Sequence, residues 1–130
     1  MSNRPERVAE RIKREAADIL ENTLRDPRLE RIMVSVTDVE VTRDLSVARV
    51  FVSVLARGPD RDRAMEALRS AAGFVRHELA PRLGLREVPE VRFELDTSLE
   101  HGARVDDLLR RLAAGEEIPD QERSGEDEPQ

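Results

Sequence analysis

Two histidines are the first residues to weigh for chemistry. His101 lies close along the chain to Asp96, Ser98 and Glu100, which are the residue types of a Ser/His/Asp set. Such sets are recognised by geometry across a fold rather than by neighbours in sequence. No G-x-S-x-G turn accompanies this one, and a hydrogen-bonded loop is the plainer reading. His77-Glu78 falls in a helical pattern but lacks the second histidine that H-E-x-x-H requires. The chain has no cysteine, which removes a thiolate nucleophile, a Cys-based zinc site and a disulfide framework. There is no Walker loop and no G-x-G-x-x-G, and the many carboxylates do not fall into a calcium-loop pattern. These residues point away from an enzyme, and no cofactor, metal or small-molecule substrate is expected.

What remains is arginine. Of 22 basic residues, 21 are Arg and only Lys13 is Lys. A guanidinium fork suits phosphate, although a coding bias towards Arg is the plainer cause of the ratio. Arg4, Arg7, Arg11 and Arg14 are spaced three, four and three, a stripe about 80° wide at roughly 100° per helical residue. One reading is a phosphate-contacting ridge. The other is a solvated face steadied by i,i+4 pairs such as Glu10–Arg14. The net charge of −6 is concentrated in residues 115–130, where seven acidic residues meet one Arg. The other 114 residues hold 21 charges of each sign, so the expected organisation is a neutral body at 1–114 and an acidic, disordered tail at 115–130. At 130 residues the chain suits one core. The opening SNRPERVAER lacks the apolar stretch of a signal peptide, and no apolar run nears the ~18 residues of a membrane span. The expectation is a soluble, cytoplasmic protein.

The elements that must position the arginines follow from periodicity. Asn3 as cap and Pro5 near the first turn begin a helix whose buried face is Val8, Ile12, Ala16, Ile19 and Leu20, running to about Leu24. Asp26-Pro27-Arg28-Leu29 ends it, because a residue before proline is biased away from helix. Ile32–Val41 and Leu45–Leu55 read as an antiparallel hairpin with a short turn at Thr42-Arg43-Asp44. Ala48, Val50, Val52 and Val54 share the inner face of its second strand, and Val47, Arg49, Phe51 and Ser53 share the outer one.

Arg57-Gly58-Pro59-Asp60 is a turn, with Asp60 a candidate helix cap. From Asp60 to Leu83, Met65, Leu68, Ala72, Val75 and Leu79 recur at helical spacing, and Arg63, Arg69 and Arg76 lie off that face. Gly73 stands inside the pattern, where glycine costs about 1 kcal/mol relative to alanine. A bend at Ala71-Ala72-Gly73 and a single helix with a tolerated glycine are both open. Pro89–Asp96 is the cleanest half-buried strand, and Val105, Leu108, Leu109 and Leu112 mark a last helix stopped by Gly115. The order is helix, strand, strand, helix pair, strand, helix, an α+β layer with a small sheet and helices on one face. Only Phe51, Phe74 and Phe93 are aromatic, two of them in core-like positions. Reading single strands by base stacking needs exposed rings, so any RNA binding should work through phosphate and shape.

Several stretches together resemble the ribosome-binding factor A family: Arg4-Pro5-Glu6-Arg7-Val8-Ala9, Asp26-Pro27-Arg28-Leu29, Val39 to Leu45 with Ala48 to Val52, Ala71 to Arg76, Val88 to Phe93, and Asp96-Thr97-Ser98 with Gly102. The resemblance runs from about Arg4 to Leu112. It implies a type II KH-like domain: helix-strand-strand-kinked helix pair-strand plus a C-terminal helix, with a three-stranded sheet. Where KH domains place a G-x-x-G loop, the family has an Ala-x-Gly kink, matched by Ala71-Ala72-Gly73, and this favours the bend. It also implies a non-catalytic, monomeric factor that binds the free or maturing 30S subunit and 16S rRNA. Such a factor assists late 16S rRNA maturation, including the 5′ region, and matters most at low temperature. Arg4, Arg7, Arg11 and Arg14 with Lys13, Arg43 in the hairpin, and Arg69 and Arg76 beside the kink are the expected phosphate contacts. The body is less basic than a strong RNA binder would be, so charge should be segregated by face. The alternatives are a KH-like module for single-stranded RNA, a protein–protein adaptor using the hairpin edge or last helix, and a nuclease, which would need a metal-carboxylate cluster.

Overall fold

The computed structural model describes residues 4–98 together with Arg110 and Ala113. The expected last helix, His101, Gly102 and the acidic segment 115–130 therefore fall, those two residues apart, outside the described residues.

The first helix, α1, spans Arg4–Asn22. Val8, Ile12, Ala16 and Ile19 are buried as their spacing requires, joined by Ala9. It ends two residues before the expected Leu24: the Thr23 and Leu24 amides both donate to the Ile19 carbonyl, at 3.0 and 2.8 Å. Asp26 then takes extended backbone, as a residue before proline should, and opens a 3-10 turn at Pro27–Leu29. Its carboxylate accepts from the Arg28 amide at 2.9 Å and from the Arg28 guanidinium.

Strands β1 (Val34–Val41) and β2 (Val47–Val54) pair antiparallel, from Val34 opposite Val54 to Val41 opposite Ala48. The register shifts between Val36 and Asp38, leaving Thr37 as a bulge. The connection is longer than the expected three-residue turn. It runs from Thr42 to Ser46, and Leu45 sits at φ 64°. Side chains rather than glycine close it: the Thr42 hydroxyl accepts from the Ser46 and Val47 amides, both at 3.1 Å, and Asp44 accepts from Ser46. A third strand, β3 (Glu90–Leu95), pairs parallel with β2, from Val47 opposite Glu90 to Val52 opposite Leu95. The sheet order is β1-β2-β3, with β2 central.

A parallel pair needs a long crossover, here two helices, α2 (Gly58–Ser70) and α3 (Ala72–Leu83). Helix α2 begins two residues before Asp60, with Arg57 at the N-cap position and no side-chain capping hydrogen bond there. Asp60 lies in the first turn beside Arg63, at 3.3 Å, so it does not cap the helix. The expected bend is present. Ala71, at φ −89° and ψ 1°, separates the helices, and its amide is shared between Ala67 and Leu68 carbonyls. Gly73 lies within α3 without a left-handed φ, and a Cβ added there would meet nothing within 4 Å. The bend rests on the small, buried Ala71 rather than on freedom at Gly73. Gly84, at φ 66°, closes α3 by donating to the Ala80 carbonyl.

The core lies between the helices and one sheet face. Ala48, Val50, Val52 and Val54 are buried along β2 as expected, flanked by Val39 from β1 and by Val91 and Phe93 from β3. Val8, Ile12, Leu68, Val75 and Leu79 cover them from the helices. Burying one such aliphatic side chain contributes about 1.5–3 kcal/mol.

Candidate nucleic-acid interface

Phosphate recognition needs guanidinium or ammonium groups that the fold leaves available, so the question for each basic residue is what already holds it. On α1, Arg7 and Arg14 are exposed and Lys13 is half-exposed. None of the three makes a hydrogen bond or ion pair among the described residues. Arg4 is exposed at the first turn and is already engaged.

Arg11 differs from its stripe. Its guanidinium donates to the Leu83 carbonyl at 3.0 Å and to the Arg82 carbonyl at 2.9 Å. These are carbonyls of the last turn of α3, which have no partner within their own helix, so Arg11 caps α3 from α1. Arg82 answers in the other direction, donating to Glu15 at 3.0 Å and Asp18 at 2.7 Å. The Arg82 guanidinium, then the Asn22 amide, hold the Asp18 carboxyl below its ordinary value. The two arginines cross-link α1 and α3 along a seam, and the expected ridge is divided: Arg11 serves the fold while Arg7 and Arg14 face solvent.

Arg43 is exposed in the hairpin connection. With Pro5, Glu6 and Ala9 of α1 and Val39 and Val41 of β1 it lines a cleft of about 700 Å³, so the hairpin tip adjoins the first turns of α1. Arg69 lies elsewhere, over β3, in a hollow with Ala72, Phe93 and Leu95. Arg76 is held by the chain entering β3, donating to the Val88 carbonyl through Nε at 3.1 Å and Nη2 at 2.8 Å. The eight residues singled out by sequence are therefore not one patch. They divide among the exposed side of α1 with the hairpin tip, the α1–α3 seam, and the β3 edge.

The outer face of the sheet has the opposite character. Arg49 donates to Glu94 at 2.9 and 3.1 Å and reaches Glu40 at 3.4 Å, while its guanidinium lies 5.2 Å from the centre of the Phe51 ring. Arg92 pairs with Glu90 at 3.1 Å. The Glu94 carboxyl is lowered chiefly by Arg49 and that of Glu90 chiefly by Arg92. At the end of β3, Asp96 accepts from the Thr37 hydroxyl at 2.6 Å, the main cause of its own lowered pKa. Here carboxylates outnumber guanidinium groups and occupy them.

Phe74 is what the sequence reading missed. It is 41% exposed and follows Gly73 at the start of α3. Only Phe93 is in the core, at 3% exposure, and Phe51 is half-buried on the outer sheet face, so one ring rather than two is buried. The signal was present in the spacing: Phe74 falls a third of a turn off the Val75/Leu79 stripe. Among the described residues no group of three or more His, Cys, Asp or Glu could hold a metal ion, and no helix is long and apolar enough to cross a membrane.

A protein-family model for ribosome-binding factor A matches residues 4–109. The chain belongs to the ribosome-binding factor A family. A ribosome-binding factor A from Desulforamulus reducens is 46% identical over 122 residues, covering 94% of this chain and all of the relative. Among solved structures, a Thermotoga maritima protein described as a putative ribosome binding factor A superposes with a TM-score of 0.66 at 34% identity, covering 77% of this chain and 93% of its own. A Thermus thermophilus ribosome binding factor A, a homology model fitted into the cryo-EM map of a 30S complex, is similar with a TM-score of 0.57 at 28% identity, covering 68% of this chain and 91% of its own. The α+β arrangement of three helices and a three-stranded sheet thus matches ribosome-binding factor A structures, and the element order is consistent with the expected KH-like domain.

Proposed function

We propose that this chain is a non-catalytic assembly factor that binds the free or maturing 30S subunit. The observation that carries the reading is the family match across nearly the whole folded body, with a relative fitted into a 30S complex. The role extends to late maturation of 16S rRNA, including its 5′ region, and is greatest at low temperature. There, misfolded RNA arrangements escape slowly, and a protein that binds one arrangement better shifts the population towards it. The factor works as a cytoplasmic monomer, with residues 1–114 as the binding domain and 115–130 as an acidic tail.

The grip is by phosphate contact. Arg7, Lys13 and Arg14 with Arg43 form its centre, because the fold leaves them available and sets the hairpin tip against the start of α1. Arg4 extends this surface, and Arg69 and Arg76 are secondary contacts near the helix bend. Arg11 contributes through the α1–α3 seam. The acidic outer sheet face turns away from RNA.

Co-sedimentation with purified 30S, 50S and 70S particles across a salt series tests the reading. Binding to 30S alone, weakening steeply with salt, is the expected result. Equal binding to all three particles, or none, overturns it. One observation favours a second reading, a single-strand RNA module: Phe74 offers an exposed ring at the bend. Short unstructured RNA bound as tightly as 30S would establish that instead.

A further inference from the structure

We propose that the C-terminal segment carrying Val105, Leu108, Leu109 and Leu112 folds back onto its own domain and fills the groove between α1 and β1. The inference does not depend on what the protein binds.

The groove is an apolar opening on the helix side of the sheet edge. It holds about 540 Å³ and is lined by Leu20 of α1, Leu29 of the 3-10 turn, and Ile32, Met33, Val34 and Val36 leading into and along β1. The aliphatic residues are only partly buried against the core. Met33 is 66% exposed, the most exposed large apolar side chain among the described residues. A chain that is 38% charged thus leaves a largely aliphatic strip, interrupted by Glu21 and Ser35, beside an edge strand. Exposed strips of this kind mark contact sites.

The occupant follows from where the chain goes next. Strand β3 runs parallel to β2 with Leu95 beside Val52, so it ends at the same end of the sheet as Val54. Val54 pairs with Val34, and the Leu55 amide donates to the Met33 carbonyl. Ser98 therefore leaves the domain at the end where Met33 stands. The Asp96 amide still donates to Val52 while its carboxylate accepts from Thr37 of β1, which draws the exit across β2 towards the groove. Two strand spacings are about 10 Å, and the six residues 99–104 reach about 20 Å when extended. The next residues, Val105, Leu108, Leu109 and Leu112, carry an apolar stripe at helical spacing, aliphatic like the groove. Arg110 and Ala113, away from the centre of that stripe, are helical and exposed.

The absence of native cysteine makes the test direct. A nitroxide on Ala113→Cys in the full-length chain should attenuate the amide signals of Leu20 and Met33 to Val36 more than those of Arg76 and Arg92. Adding Leu108→Asp and Leu109→Asp to the labelled chain should abolish that pattern while the Val50 and Val52 signals stay dispersed. Uniform attenuation, attenuation centred elsewhere such as at Phe74, or a pattern that survives both aspartates overturns the proposal. So does the same attenuation of an isotope-labelled unmodified chain mixed with spin-labelled, isotope-silent chain, since that assigns the groove to a second copy.

Discussion

The exposed side of α1 and the outer face of the sheet both carry arginines on regular elements, yet only one of them leaves the charge available. On α1, Arg7 and Arg14 project to solvent without a partner among the described residues. On the sheet, Arg49 and Arg92 each stand beside a glutamate at about 3 Å. The difference lies in geometry. A strand sets residues two apart on one face, with diagonal neighbours on the next strand within reach of long side chains. Arg92 therefore meets Glu90 of its own strand, Arg49 meets Glu94 diagonally across β2 and β3, and the mixed face neutralises itself. A helix places neighbours three and four residues away, and where those are arginines the charge accumulates. Availability, not the number of cations, separates a candidate binding face from a structural one.

The largest effect expected from this contrast is on binding. Arg7→Glu with Arg14→Glu should weaken 30S association more than tenfold at physiological salt and flatten its log–log salt dependence by roughly 1.5. An unchanged slope would move the grip off α1. Arg11→Ala should act differently, lowering stability by about 1 kcal/mol through two lost bonds to backbone carbonyls. Urea unfolding would show this, with the salt slope of binding left intact. A reduced slope at unchanged stability would return Arg11 to the ridge. Gly73→Ala should raise stability by up to ~1 kcal/mol, since the backbone is helical and the space is open. A loss on thermal unfolding would mean that the bend needs glycine.

Acid should expose the charge pairing next. Asp18, Asp44 and Asp96 all have lowered pKa values, through Arg82, Ser46 and Thr37 respectively. A lowered folded-state pKa gives stability that is present above the unfolded value of about 3.9 and is lost as pH falls through the folded value. Stability should therefore decline below about pH 4, and Asp96→Asn should make that decline shallower in urea titrations between pH 5 and 2. The smallest effect belongs to the sheet. Arg49→Ala should leave stability close to that of the unmodified chain, as the loss of exposed pairs does, and leave 30S affinity unchanged. A tenfold loss there would erase the contrast between the two faces.

Periodicity made the elements legible. The α1 stripe from Val8 to Ile19 and the Ala48/Val50/Val52/Val54 row lie where local spacing placed them, because each records which side of an element avoids water. The bend near Ala71, by contrast, was left open by spacing and favoured only by the family resemblance. The hairpin connection was not legible. Leu45 adopts a left-handed φ without being glycine, and the bonds that hold it come from Thr42 and Asp44. The candidate site was legible only as a set of arginines. Arg11 and the carbonyls it caps are 71 and 72 residues apart, a distance over which local spacing says nothing about contact. Arg76 looked like its neighbour Arg69 until the path into β3 placed Val88 beneath it.

The Thr37 bulge bears on a different property, solubility at high protein concentration. β1 is an outer strand of the sheet, and a flat outer strand is a template on which another molecule's strand can add. The extra residue breaks the even ladder that such addition needs, and Asp38 and Glu40 beyond it set like charges against a second copy of the same strand. Removing Thr37 would straighten the edge and release Asp96 from the hydroxyl it accepts. The outer strand would then present an even ladder and a route to open-ended stacking, so the irregular residue protects the sheet edge.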